Sequence, residues 1–133
     1  MAKMFSTAEV AHLVGIPRPT LGGWISRGRY DRAPQAGAVR WYSAQEVMGL
    51  CILHFVGVDA GARAFRNSGG FASVFDHDGV PLGRFLVMTS DERFVVVDRL
   101  EDVAPLLIGF GFGWLCDLRD LSSAVAARAT ELP

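Results

Sequence analysis

Two six-residue stretches, FSTAEV (5–10) and YSAQEV (42–47), carry the same device and thereby fix two helix starts. In each, a serine is followed three residues later by a glutamate: Ser6 with Glu9, and Ser43 with Glu46. At that spacing the serine hydroxyl accepts from the glutamate's backbone N–H, and the glutamate carboxylate accepts from the serine's own N–H. Two donors that a helix leaves unsatisfied in its first turn are thus paired reciprocally. The flanking apolar residues, Phe5 with Val10 and Tyr42 with Val47, stand where a hydrophobic staple closes. Helices are therefore predicted from about residues 7 and 44. The first places Val10, Leu13 and Val14 on one face and ends at Gly15, a residue free to take the left-handed backbone that closes a helix. The second runs to about Val56 and stacks Val47, Leu50, Cys51, His54 and Phe55 at i, i+3, i+4, i+7 and i+8, the spacing of a buried face.

Between these two lies PRPTLGGWISRG. Pro17 and Pro19 fall at or near a first helical turn, where a missing N–H does little harm. Leu21, Trp24 and Ile25 have the spacing of a packed face, and Gly28 is a stop. Two short helices joined by a brief glycine-containing turn form a helix-turn-helix pattern. Gly22 and Gly23 are the anomaly, since each costs about 1 kcal/mol against alanine inside a helix. The following RYDRAPQAGAVRWY reads as two short strands, about 29–32 and 39–42, around a tip containing proline and glycine, a hairpin wing.

Taken in order, STAEVAHLVGIP, TLGGW, Gly28, GAVRWYS and AQEV resemble the MerR-type winged helix-turn-helix family over about residues 4–56. The resemblance implies double-stranded DNA as partner, with the second helix in the major groove. Residues at the start of such a helix lie nearest the base edges, which nominates Arg18 and Thr20. An arginine can fork onto the two acceptors of guanine, and a threonine can meet thymine or a phosphate. Arg27 at the helix end and Arg29, Arg32 and Arg40 of the wing would meet phosphates or the neighbouring minor groove, setting register and affinity more than sequence choice. Arg40 and Tyr42 match the wing's Arg-x-Tyr, and Tyr42 can also serve as a staple. Leu21, Trp24 and Trp41 are expected in the core. The chain departs from the family at Gly22 and Gly23, where relatives carry arginine or another long polar residue. Readout is then expected to shift to Arg18 and Thr20, the glycines allowing the backbone to approach DNA closely.

Charge is distributed in keeping with that division. Residues 1–57 hold six basic against three acidic side chains, a net of plus 3, and the remainder holds seven arginines against eleven carboxylates, a net of minus 4. Half of the 133 residues are hydrophobic and 20% are charged, enough to bury a core. The longest nearly uncharged apolar run, 103–116, is shorter than the roughly 20 residues a membrane helix needs. No cationic segment followed by an apolar run opens the sequence. Cys51 and Cys116 sit in apolar sequence, as reduced thiols of a cytoplasmic protein would.

The second half reads as a small unit of strands and helices, so the expected fold class is α+β: a winged helix-turn-helix over 1–57, a linker or short helix over 58–70, and a β-meander with helices over 71–133. Strands are predicted at 71–75, about 82–88 and 93–98, with turns at DHDG and TSDE. LEDVAPLL reads as a short helix, FGFGWLCDL as a further strand on which Phe110, Phe112 and Trp114 alternate, and LSSAVAARATEL as a final helix. Glycines 57, 61, 69 and 70 break the chain too soon for the long dimerising helix of metal-sensing or drug-sensing relatives. The half is expected to serve in self-association or partner binding.

Other chemistry finds little support. Cys51 and His54 lack the second ligand pair of a zinc site, DHDG lacks the remaining calcium-loop spacing, and GFGFG lacks the spacing of a phosphate-binding glycine loop. With no nucleophile-and-base constellation evident, neither enzyme activity nor a cofactor is expected. The sequence therefore points to a dimeric, sequence-specific DNA-binding regulator of a small bacterial or phage type. Two other readings stay open: a packaging or recombination accessory resembling a small terminase or excisionase, and a protein-interaction adaptor that has lost DNA binding.

Overall fold

A computed structural model describes residues 3–27, 40–110 and 113–132. The fold is α+β, with helices packed against two small antiparallel sheets. Strand β1 (Met4–Ser6) leads directly into helix α1 (Thr7–Val14), and β2 (Trp41–Ser43) leads directly into α3 (Ala44–Val56). Both capping boxes are present. Glu9 N–H donates to Ser6 Oγ at 3.2 Å and Ser6 N–H to Glu9 Oε1 at 2.9 Å, while the Ser43–Glu46 pair repeats this at 3.1 Å in both directions.

The two strands that precede these helices pair with each other, Phe5 opposite Tyr42. The paired capping boxes therefore set α1 and α3 side by side as well as starting them. Strand β2 finds its described partner at residues 4–6, and the rest of the predicted hairpin, residues 29–39, lies outside the described residues. Trp41, expected in the core, is instead 47% exposed. Its register opposite Ser6 puts it on the outer face, because neighbouring Tyr42 alternates inward.

Helix α1 closes at Gly15, φ +84°, whose N–H reaches back to Ala11 O at 2.9 Å. After Ile16 and Pro17 the chain enters α2 (Arg18–Ser26), which buries Leu21 and Trp24. On α3, seven consecutive residues from Val47 to Leu53 are buried, so this helix is enclosed nearly all round at its middle. The predicted face divides there: Val47, Leu50 and Cys51 are inside, whereas His54 and Phe55, in the last turn, are exposed. The segment left open between linker and helix is helix α4 (Val58–Ser68), packed on α3 through Gly61, where a Cβ would stand 2.9 Å from Leu53 Cδ2.

The predicted strand at 71–75 is a correction. Phe71–Ser73 form one turn of 3-10 helix, and only Phe75 makes an isolated bridge, to Pro81. Gly69 and Gly70, both at positive φ, turn the chain sharply, and Ser73 Oγ donates to Gly70 O at 2.6 Å, a local bond that competes with a sheet ladder. DHDG is a turn, with Asp76 Oδ1 accepting from the N–H groups of Asp78 and Val80 at 2.9 Å.

A three-stranded sheet follows in the order β4 (Phe94–Val97), β3 (Phe85–Met88), β5 (Trp114–Asp117), all antiparallel. Helix α5 (Val103–Phe110) covers one face through Val103 and Leu106 against Phe85, Val87 and Val97. Phe110 thus ends a helix rather than beginning a strand, and the expected alternation reduces to Trp114, since Phe112 is outside the described residues. The last helix, α6 (Leu118–Ala129), is capped by Asp117, whose Oδ1 accepts from Arg119 N–H at 3.0 Å. The sheet's other face joins the main core, a single cluster that runs from Val10 to Leu121.

Candidate nucleic-acid interface

With Leu21 and Trp24 committed to the core, α2 turns Arg18, Pro19, Gly22 and Ser26 outward, spaced so that they share one face, and Arg27 continues it. Thr20 is half-buried. The outward face carries no acidic side chain.

The two glycines differ in what surrounds them. A Cβ at Gly22 would meet nothing within 4 Å, so no contact among the described residues accounts for a glycine there. A Cβ at Gly23 would stand 2.7 Å from Arg27 Nη2, the movable end of a long side chain. Arg27 folds back along the helix and donates from Nε to Gly23 O at 3.1 Å. That places positive charge at the negative end of α2 and satisfies a terminal carbonyl, while the guanidinium keeps donors for other acceptors.

Arg40 is exposed at the entrance to β2, level with the first turn of α1 by the strand register. Tyr42 is wholly buried, so in this arrangement its ring belongs to the core and the phosphate contact that the resemblance implies is not open to it. Arg29 and Arg32 lie outside the described residues. Of the residues predicted to meet DNA, then, Arg18 and Thr20 stand on α2, Arg27 caps its end, Arg40 immediately precedes the strand that pairs beside α1, and Tyr42 is enclosed.

The second half holds both paired and unpaired arginines: Arg66, Arg119 and Arg128 have no carboxylate partner among the described residues. Arg63 pairs with Glu92, Arg84 with Asp117, Arg93 with Asp91, and Arg99 with both Glu101 and Asp102. Among the described residues, Arg18, Arg27 and Arg40 have no carboxylate partner. The acidic excess of the second half is therefore partly spent on its own cations, and in the first half Arg18, Arg27 and Arg40 stand exposed without a described carboxylate. Composition fixes the net charges, but which arginines are neutralised depends on the fold, with Arg84 and Asp117 meeting across 33 residues.

Among the described residues no group of three or more side chains is arranged to hold a metal ion, and no helix is long and apolar enough to cross a membrane. The chain matches no protein-family model and no curated protein sequence.

Proposed function

We propose that the protein binds double-stranded DNA sequence-specifically, as a small transcription regulator of bacterial or phage type, with α2 entering the major groove. The observation that carries this reading is the exposed, acid-free face of α2 together with arginines 18, 27 and 40, none of which is neutralised by a described carboxylate. Surface cations left unpaired beside a short exposed helix suit a polyanion, and phosphate contacts supply most of the affinity of such complexes. Base discrimination falls to Arg18 and Thr20 at the helix start, and Arg40 adds affinity from the wing side. Self-association on paired half-sites accompanies this reading, since dimers are the common arrangement for helix-turn-helix proteins.

The test is fluorescence anisotropy with random and selected duplexes between about 50 and 200 mM salt. Affinity is expected to fall steeply as salt rises. Replacing Arg40 with alanine should weaken binding to every duplex and lower the log–log salt slope by about 1, whereas Arg18→Ala should flatten preference at one base position at a cost of about 1–3 kcal/mol. Failure of the purified protein to bind any duplex at low salt would overturn the proposal and favour a protein-interaction role.

A further inference from the structure

Away from α2, a half-open cavity of about 580 Å³ lies between the ends of α1 and α3, strand β5 and one face of α6. Its volume falls within the range of small-molecule sites. Its middle is apolar: Val14, Phe55, Leu115, Leu121 and Ala124. Two of these are large side chains left open to solvent, Phe55 at 65% and Leu115 at 43% exposure, and both stand on this one cavity. Phe55 is held edge-on to Trp114, ring centroids 6.1 Å apart, so this part of the wall is braced from behind.

The two ends carry opposite charge. Asp117 and Asp120 stand where β5 passes into α6, and Arg128 stands about two turns further along the same face of the helix. Asp117 is already occupied, capping α6 and pairing with Arg84. Asp120 has no ion-pair partner among the described residues. Arg128 spends one N–H on Leu13 O at 2.9 Å and keeps the rest of its fork. His54, exposed on the last turn of α3, completes the polar lining. The two cysteines of the wall sense the same polarity. Burial pushes both thiols up, Cys51 to about 12 and Cys116 to about 11; Asp117 and Asp120 add to the rise at Cys116, whereas Arg128 opposes it at Cys51.

We infer that this cavity binds a small zwitterion with an apolar body, its ammonium end at Asp120 and its carboxylate end at Arg128. Eight residue steps of helix separate those two side chains, about 12 Å along the axis of α6. An extended tripeptide spans about 10 Å. Short apolar peptides with free termini match the length, the volume, the polarity and the exposed rim together. The assignment is independent of whether the protein binds DNA.

Isothermal titration of the full-length protein with trileucine tests it, alongside N-acetylated trileucine, trileucine amide and trialanine. Free trileucine is expected to bind, with affinity at least about tenfold lower after capping either terminus, because each cap removes one charge-assisted contact. Trialanine, lacking the body, should bind more weakly. Asp120→Asn should weaken trileucine by a similar factor and abolish the difference between the free and N-acetylated peptides. The same variant should keep the difference between acid and amide, which a merely unfolded protein would not. Absence of trileucine binding at millimolar concentration, equal binding of free and capped peptides, or an Asp120→Asn protein that still discriminates against the acetyl group would overturn the inference.

Discussion

Gly22 shows how a single residue can separate internal from external demands. It faces open space on an exposed helix, so alanine there meets no steric penalty and gains helix propensity. Gly22→Ala should raise the stability of the isolated protein by about 0.5–1 kcal/mol in urea unfolding. Under the proposed function it should at the same time weaken binding to duplex DNA, because the added methyl holds the α2 backbone off the groove. Tighter or unchanged binding would show that α2 does not make a close backbone approach. Cys51 tests the interior instead. Its thiol ionises near 9 when unfolded and near 12 when buried, desolvation outweighing the opposing influence of Arg128. A raised folded-state value means that the neutral thiol's stabilisation is fully present below pH 9. It is lost as pH climbs from about 9 toward 12, at about 1.4 kcal/mol per pH unit. Cys51→Ala should therefore flatten the alkaline limb of a stability-against-pH curve relative to the parent, a change readable by denaturant titration at several pH values.

At the level of elements, the starts of α1 and α3 were readable because a capping box is a local bond between residues three apart, and sequence spacing decides it. Helix α2 was readable from its packed face, Leu21 and Trp24, and from prolines tolerated only in a first turn. What sequence left obscure depends on distant residues. The pairing of Met4–Ser6 with Trp41–Ser43 joins segments more than 30 residues apart, and nothing in MFS alone marks a strand. Phe71–Phe75 has the apolar spacing of a strand, yet two positive-φ glycines and the Ser73 hydroxyl bend it into a turn. The cavity is harder still, since Cys51, Leu115 and Arg128 converge from three elements. The division of the predicted α3 face, with His54 and Phe55 left outside, is what opens it. Gly49 gives an element-scale test of packing. A Cβ there would stand 2.5 Å from Cγ and Cδ1 of the half-buried Phe71 ring, so the ring would have to shift as a whole. Gly49→Ala should destabilise by about 1–3 kcal/mol through overpacking despite better helix propensity, the opposite sign to Gly22→Ala in the same denaturation assay.

Across the whole molecule, the basic and acidic halves differ in charge but share an interior. The main core includes Val10 and Leu13 of α1, Leu50 and Leu53 of α3, Phe65 of α4, Leu86 of β3, and Leu118 and Leu121 of α6. Helix α6 closes this arrangement by docking on α1, with Arg128 Nη1 donating to Leu13 O across 115 residues of sequence. His12 and Glu131 stand 2.9 Å apart at the same junction. That last pair is exposed on both sides and contributes little, as surface ion pairs do. The Arg128 bond is half-buried and serves a carbonyl near the end of α1, so its loss leaves an acceptor without that partner. Arg128→Met keeps much of the apolar stem and removes the donor, and is expected to cost about 1.5–3 kcal/mol. Because the halves share one core, that loss should lower the midpoint of a single transition rather than release a separate C-terminal unit. Tryptophan fluorescence reports on both halves, through Trp24 and Trp41 in the first and Trp114 in the second, and circular dichroism reports on the helices. Coincident curves from both probes, shifted together in Arg128→Met, are the expected outcome. Two separated transitions in the parent protein would show that the halves fold as independent units and that the shared core is too weak to couple them.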